Sequence, residues 1–352
     1  MKVSLILPVR NEKDSVNETL ESVFRQSKMP DEIVIADGCS TDATVALIGS
    51  FDAAGVPIKI VPNEKILPGA GRNAAIDEAR YDVIAATDFG TVLDAHWLEE
   101  IIKPLEQDPS VDMVSGRCRP RVRNEFEKCV ASVLHTANYY DLNRLSAGEI
   151  ERAIAARPVM PGGLSVAFRR SIWRQAGGYP DWLRTSEDKL FARKVHRLGG
   201  KIAVSLKSVV YYDPRDKLAN VFRQFYGYGK GNAQSGQSSW AFFKLLSKSA
   251  LGLSLFIIGL LNSFWWYVLG LFVIFHLYRA GFKTYFVVNE KLPPLSGFLW
   301  IPLILMTHHA ATVLGHSAGY LDRLLKPRYR KKHFDYINAK QVGASDAGPG
   351  ER

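Results

Sequence analysis

Acidic residues recur in this chain where a short apolar run gives way to a turn. Asp37 opens Asp37-Gly38-Cys39-Ser40-Thr41-Asp42, Asp88 sits in Thr87-Asp88-Phe89-Gly90, and Glu187-Asp188 forms an adjacent pair. A carboxylate at Asp37 can accept the imide N–H of uracil or the N–H donors of a guanine edge. The plainer reading of DGCSTDAT is a turn followed by a helix N-cap. Gly69, Gly71, Arg72 and Asn73 make a second cluster. Its glycines allow close backbone approach, and Arg72 can pair with a diphosphate; the plainer alternative is a helix start with a surface arginine. Taken alone, Glu187-Asp188 reads as an acid pair at a helix N-terminus, capped by Thr185 or Ser186.

Such residues act together only if the elements around them bring them to one place. Val3–Pro8, Glu32–Ala36, Ile58–Val61 and Asp82–Thr87 read as short buried strands. Between and after them, Asp14–Gln26, Thr41–Phe51, Gly71–Ala79 and Ala95–Leu105 read as helices, the first with Val16, Leu20, Val23 and Phe24 on one side. This rhythm predicts an α/β domain with a mainly parallel, right-handed sheet. Ligands of such sheets sit outside the carboxyl ends of the strands. Three informative strand ends, Pro8–Glu12, Asp37–Asp42 and Thr87–Gly90, should then share one edge.

The stretches ILPVRNE, IVIADGCSTDAT, GAGRNAAIDEA, IAATDFG, MPGGLSVAFRRSIWRQAGGYPDW and TSEDKLFARKVHRLGG follow one another within residues 1–232. In these stretches the chain resembles a family 2 glycosyltransferase, whose GT-A fold is Rossmann-like. The resemblance implies that Pro8, Arg10, Asn11 and Glu12 hold a nucleoside and that Asp37-Gly38 meets its base. Gly71, Arg72, Asn73, Thr87, Asp88 and Gly163 complete the implied donor site. Asp88 is the implied ligand of Mg²⁺ or Mn²⁺, which would neutralise charge on the leaving nucleotide. Family members often carry Asp-x-Asp here. Gly90 replaces the second acid, leaving one carboxylate to share the ion with diphosphate and water and admitting a weaker metal dependence.

In inverting members an acid of the Glu-Asp pair is the general base for the acceptor hydroxyl. Asp188 matches that position, and Glu187 tunes it or helps to hold the acceptor. An acceptor that is a lipid phosphate is already ionised, and Asp188 would then position it. Met160-Pro161-Gly162-Gly163 should form a tight loop near both substrates. Members that build long polymers often carry Gln-x-x-Arg-Trp before the membrane part. This chain has Arg223-Gln224-Phe225-Tyr226-Gly227, which disfavours a processive synthase. Arg223 and Lys230 either touch donor or lipid phosphate, or snorkel from an amphipathic interfacial helix.

Apolar residues make up 47% of the 352, enough for a buried core, so a wholly disordered chain is excluded. Cys39, Cys118 and Cys129 are odd in number and contain no Cys-x-x-Cys pair, which argues against a disulfide framework or zinc finger. MKVSLILPVRNE has too short an apolar run for a secretory signal, so the N-terminal part is expected in the cytoplasm. The uncharged run 249–278 is long enough to cross a bilayer. It is one tilted helix or, with Asn262-Ser263 midway and Trp265, Trp266 and Tyr267 next, a tight hairpin. A weaker stretch at 295–318, holding Pro302, His308, His309 and His316, spans or lies in the interface. The basic run at 323–333 should stay cytoplasmic. With the catalytic part on the same side, the number of crossings is even: a hairpin plus an in-plane segment, or two long spans. The net charge of +10 is assigned to anionic lipid, because no nucleic-acid motif accompanies it. The end, VGASDAGPGER, reads as a disordered tail.

The expected organisation is a catalytic domain over 1–235, of which 215–235 is a juxtamembrane segment, then membrane helices over 236–322 and a basic cytoplasmic tail over 323–352. The expected activity is inverting transfer of one sugar from a nucleotide-sugar, a UDP-sugar, to a lipid-linked or glycolipid acceptor at the cytoplasmic face of the membrane. Two rivals remain. A sugar-nucleotide pyrophosphorylase would begin with a Gly-rich, Arg-containing turn, which ILPVRNE lacks. A catalytically impaired membrane scaffold has Gly90 as its support.

Overall fold

Alternating apolar residues build the first strand and sort its side chains. In β1 (Val3–Val9), Val3, Leu5, Leu7 and Val9 join one core and Ile6 joins the other, as a side-chain period of two requires. The computed structural model describes residues 1–52, 55–134, 160–237 and 239–339; the VGASDAGPGER end lies outside them. Among these residues the chain forms two units, one of Met1–Cys118, 160–212 and 330–339, the other of 119–134 and 213–329.

The first unit is built on β1, β2 (Glu32–Asp37), β3 (Ile58–Pro62), β4 (Val83–Ala86), β5 (Thr91–Leu93), β6 (Val111–Pro120), β7 (Val166–Arg169) and β8 (Lys201–Tyr212). Their order is β3-β2-β1-β4-β7-β6-β8-β5. The first four are parallel, as the βα rhythm predicts. Beyond β4 the pairing is antiparallel, β4 with β7, β7 with β6 and β5 with β8. One face is covered by α1 (Val16–Phe24), α2 (Thr44–Gly49) and α4 (Trp97–Gln107). The other carries α3 (Pro68–Asp77), α6 (Arg170–Ala176) and α7 (Glu187–Arg197). The third helix starts at Pro68, earlier than the expected Gly71, because proline is pre-set for the first helical position and gives up no hydrogen bond there. The last helix, α13 (Pro327–Asn338), returns to this unit. The Tyr336 hydroxyl donates to the Gly178 carbonyl at 2.7 Å, and the Lys194 ammonium donates to the Tyr336 carbonyl while lying 4.5 Å from its ring centre.

The second unit is helical: α5 (Glu125–Leu134), α8 (Leu218–Gln234), α9 (Ser239–Leu261), α10 (Phe264–Leu277), a wider-wound turn at Tyr278–Phe282, α11 (Lys283–Asn289) and α12 (Leu295–Leu325). Three stretches, Phe242–Leu261, Phe264–Asn289 and Leu295–Leu325, are long and apolar enough to cross a membrane. The run 249–278 is broken at Asn262-Ser263, where the Phe264 amide donates to Asn262 Oδ1 at 3.0 Å. Phe256 meets Trp266 edge-on at 5.2 Å, so α9 and α10 form the expected hairpin.

Small residues let α8 and α12 approach closely. A Cβ on Gly315 would lie 3.0 Å from the Tyr226 carbonyl carbon, and one on Gly229 2.8 Å from the Thr312 oxygen. Backbone cannot rotate away as a side chain can. Gly315→Ala is therefore expected to cost about 1–3 kcal/mol. Gly270→Ala, on α10 with nothing within 4 Å of the added Cβ, should be neutral or slightly stabilising. Thermal unfolding of the two variants in detergent checks the contrast.

Candidate active site

Because β1, β2 and β4 are parallel, Val9 stands beside Asp37 and Ile6 beside Ala86. The turns Pro8–Glu12, Asp37–Asp42 and Thr87–Gly90 therefore open on one edge of the sheet. The first two are stitched together. Asn11, in the left-handed region at φ 54°, accepts from the Thr41 amide at 2.8 Å through Oδ1 and donates its own amide to Ser40 Oγ at 3.0 Å. The Glu12 amide donates to Thr44 Oγ1 and the Gly38 amide to the Val9 carbonyl, both at 2.8 Å. Both Asp37 oxygens accept from the Ser40 amide at 3.2 Å. Asn11 and Glu12 thus shape the loop that carries Asp37, while Arg10 is exposed and Pro8 half-buried.

The centre of the edge is a buried charge cluster. The Arg72 side chain is 2% exposed; its Nη2 donates to Asp88 Oδ1 at 2.6 Å and its Nη1 to Glu187 Oε1 at 2.7 Å. The guanidinium carbon is 5.6 Å from the Tyr179 ring centre. Burial alone would lower the Arg72 pKa, but Asp88 and then Glu187 reverse this and hold it above its ordinary value. Burial, then the neighbouring Asp188 charge, pushes the Glu187 carboxyl well above the usual range, against the pull of Arg72. The helix start beside the surface arginine of the plainer reading is therefore an interior helix start. Gly163 makes room for the guanidinium: a Cβ there would lie 2.7 Å from Arg72 Cζ.

The two adjacent acids are sorted by α7. Glu187 is buried against Arg72, whereas Asp188 is half-buried and accepts from the Gly163 amide at 3.0 Å through Oδ2. They follow Ser186, which takes φ 69° and caps the helix through its backbone position, with no side-chain cap bond. A non-glycine residue in that region is strained, and such strain gathers at functional sites. Cys118 feels the same acids: burial, then Asp88 and Asp188, lift its thiol to about 12, so it is a poor nucleophile at neutral pH.

Other expected site residues have internal partners. Thr87 is buried, with its hydroxyl donating to the Leu164 carbonyl at 2.9 Å. Asn73 braces the glycine turn before Tyr179, accepting from the Tyr179 amide at 2.7 Å and from Trp173 Nε1 at 3.1 Å. Gly71 packs tightly on Asn63 and Pro8. Arg223 lies on α8 of the second unit, exposed, with Asn220 Oδ1 3.3 Å from Nη1. The structure thus brings Arg72, Asp88, Gly163, Glu187 and Asp188 together. Tyr179 and Cys118 are neighbours that sequence reasoning missed, although GGYPDW was visible as a motif; Ser186, one of the two expected caps, is the N-cap residue.

Gly90 has a backbone reason of its own. Its φ is +79°, a conformation that glycine adopts freely and other residues reach at a cost. No three His, Cys, Asp or Glu side chains gather closely enough to hold a metal by themselves among the described residues. The donor chemistry nevertheless suits a hard divalent cation: the Asp88 carboxylate is 31% exposed and would offer it a hard oxygen.

Profiles described as "Glycosyl transferase family 2" and "Glycosyl transferase family group 2" match residues 4–154 and 83–313. The chain is 26% identical over 231 residues to the O-antigen chain rhamnosyltransferase RfbN of Salmonella typhimurium, covering 63% of this chain and 71% of that protein. It is 25% identical over 239 residues to the succinoglycan biosynthesis protein ExoA of Rhizobium meliloti, covering 66% and 69%. Its fold is similar to that of the mannosyltransferase PcManGT from Pyrobaculum calidifontis, solved with GDP-Man and Mn²⁺, with a TM-score of 0.55, 18% identity and coverage of 92% and 88%.

Proposed function

The chain belongs to the family 2 glycosyltransferases, with the GT-A fold, and on that premise we propose that it moves one sugar, with inversion, from a UDP-sugar to a lipid-linked acceptor in surface-glycan or glycolipid synthesis. The observation that carries this reading is the buried Arg72 between Asp88 and Glu187, beside an Asp188 fixed by the Gly163 amide. The polysaccharide roles in the names of RfbN and ExoA agree with it. The apolar helices agree with an acceptor that stays in the membrane. A soluble nucleotide-sugar places the catalytic face in the cytoplasm.

In this mechanism the Pro8–Glu12 and Asp37–Asp42 turns hold the nucleoside. Asp37 keeps acceptor lone pairs for the N–H groups of the base. Arg72 fixes the direction of Asp88 and balances the buried Glu187. When bound, Mg²⁺ or Mn²⁺ at Asp88 would neutralise charge on the departing diphosphate. Asp188, the more exposed acid, takes the proton of the acceptor hydroxyl as its oxygen attacks the anomeric carbon. Gly162, whose added Cβ would meet only Asp188 Oδ2 at 3.7 Å, leaves space beside it for a sugar ring.

The test uses the full chain in detergent with Mn²⁺ or Mg²⁺. Nucleotide release is measured from UDP-, GDP- and dTDP-sugars, with polyprenyl phosphate or a glycolipid extract as acceptor. We expect one donor and one lipid pool to be required, and Asp88→Ala to lower the rate by about 10²-fold or more. Release that ignores the lipid would remove the acceptor class, and undiminished release by Asp88→Ala would remove the site.

A further inference from the structure

Three helical stretches could each cross a bilayer by length and composition, yet their packing separates one from the other two. The α9–α10 hairpin has its charges at one end. Lys244 and Lys248 lie near the start of α9, Arg279 and Lys283 follow α10, and 249–278 has none. The turn at Asn262-Ser263 is therefore the far tip, and the charged end is the base.

The helix α12 touches that base along most of its length. Near its start, Phe298 stacks at 5.1 Å on Phe282, and Ile301 packs on Gly281. In its middle, the His309 ring is 5.3 Å from His276. Near its end, His316 and Tyr320 lie 5.0 and 5.6 Å from Phe242. From Phe298 to Tyr320 the helix axis advances ~33 Å. A helix crossing beside the hairpin would meet base residues at one end and tip residues at the other. Here the early, middle and late parts all meet residues flanking the basic end, so α12 runs across the base.

Its two faces agree. Leu295, Leu299, Met306, Leu314, Leu321 and Leu325 are exposed and fall on one stripe. The other side is packed on α5 and α8, with Trp300 edge-on to Phe126 at 5.1 Å. It carries His308, Thr312, His316 and Tyr320 at four-residue spacing, each with a buried polar atom. Asp322 accepts there from Gln234 and Lys326 at 2.7 Å and pairs with Lys230 at 3.2 Å. A one-sided apolar stripe opposite a protein-packed face suits a helix lying in the interface.

We propose that α12 lies in the plane of the membrane interface at the basic end of the α9–α10 hairpin, its leucine stripe at the boundary of head groups and acyl chains, and that the chain crosses the bilayer only with α9 and α10. Lys291 before α12 and Arg323, Lys326 and Arg328 at its end suit the anionic head groups at both ends of such a helix.

The test places single cysteines at Ser263, Leu295 and Lys326 in the full chain with Cys39, Cys118 and Cys129 replaced by serine. A membrane-impermeant maleimide is added to right-side-out and to inverted vesicles. We expect Leu295→Cys and Lys326→Cys to label from the same side and Ser263→Cys from the opposite side. Labelling of Leu295→Cys and Lys326→Cys from opposite sides would overturn the proposal. Independently, spin labels on Leu299→Cys, Met306→Cys, Leu314→Cys and Leu321→Cys, with exposed Cys39 replaced by serine and the unreactive Cys118 and Cys129 kept, report immersion depth. Similar shallow depths are expected at all four. A profile that reaches the bilayer centre at Met306 and Leu314 would overturn the in-plane placement.

Discussion

Arg72→Met should cost about 3–5 kcal/mol of stability at pH 8 and visibly less at pH 5. The wild-type cluster is paid for by pairing: Arg72 and Glu187 are both buried, 2% and 7% exposed at the side chain, and bonded at 2.7 Å. Removing the guanidinium strands the Glu187 carboxylate in a low-dielectric site, and that stranding is the main cost. Asp88, 31% exposed, can take water instead and adds little. The pH dependence follows from Glu187, whose folded pKa already stands above its unfolded value. Such a carboxyl contributes stability that is fully present below the unfolded carboxylate range and is lost as pH rises through the folded pKa. Without Arg72 nothing opposes burial, the folded pKa climbs further, and the loss between acid and neutral pH grows. Thermal unfolding at pH 5 and pH 8 should show the gap between variant and wild type widening with pH. Arg72→Met with Glu187→Gln should recover much of the loss at pH 8, because no buried charge is then left alone. A gap that is equal at both pH values would mean that Glu187 is not charged in the fold.

The same cluster marks where the sequence stopped being informative. The parallel half of the sheet was legible because each strand there is short, apolar and followed at once by a helix of matching period. Its strand ends could be assigned to one edge from the alternation of strand and helix alone. The pairing of β4 with β7 joins Val83 to Arg169, and no local pattern announces a partner so distant in the chain. Arg72 was legible as a charge at a helix start, not as a buried one, because its burial depends on Glu187, which lies 115 residues away. The bond from the Gly163 amide to Asp188 spans 25 residues and was equally invisible. Gly90 read as a missing acid; the positive φ of that residue gives it a backbone reason that composition does not carry. In the helical unit, the polar pair Asn262-Ser263 announced the hairpin turn. The orientation of α12 was not legible, since a stripe of leucines is compatible with crossing until its neighbours are known.

Asp188→Asn is expected to lower kcat by about 10²–10⁴-fold if the acceptor presents a hydroxyl, with donor affinity nearly unchanged. The substitution keeps the shape of the side chain. An amide oxygen at the position of Oδ2 can still accept from the Gly163 amide at 3.0 Å, so the loop and the neighbouring Arg72 cluster should stay in place. What disappears is the ability to take a proton, together with the Oδ1 acceptor of the Lys189 amide at 2.7 Å. The loss should therefore appear in kcat rather than in stability. Glu187→Gln makes the opposite change: it unbalances Arg72 and should lower the melting temperature as well as the rate. An acceptor that presents a phosphate gives a different result, because its oxygen is ionised without help. Asp188→Asn would then lose roughly 10-fold or less, the value of about 1.4 kcal/mol of positioning. Nucleotide release measured for wild type, Asp188→Asn and Glu187→Gln thus reads the chemical class of the acceptor from the enzyme side. A steep loss assigns a hydroxyl, and a shallow loss assigns a phosphate. Full activity in Asp188→Asn would remove Asp188 from the reaction.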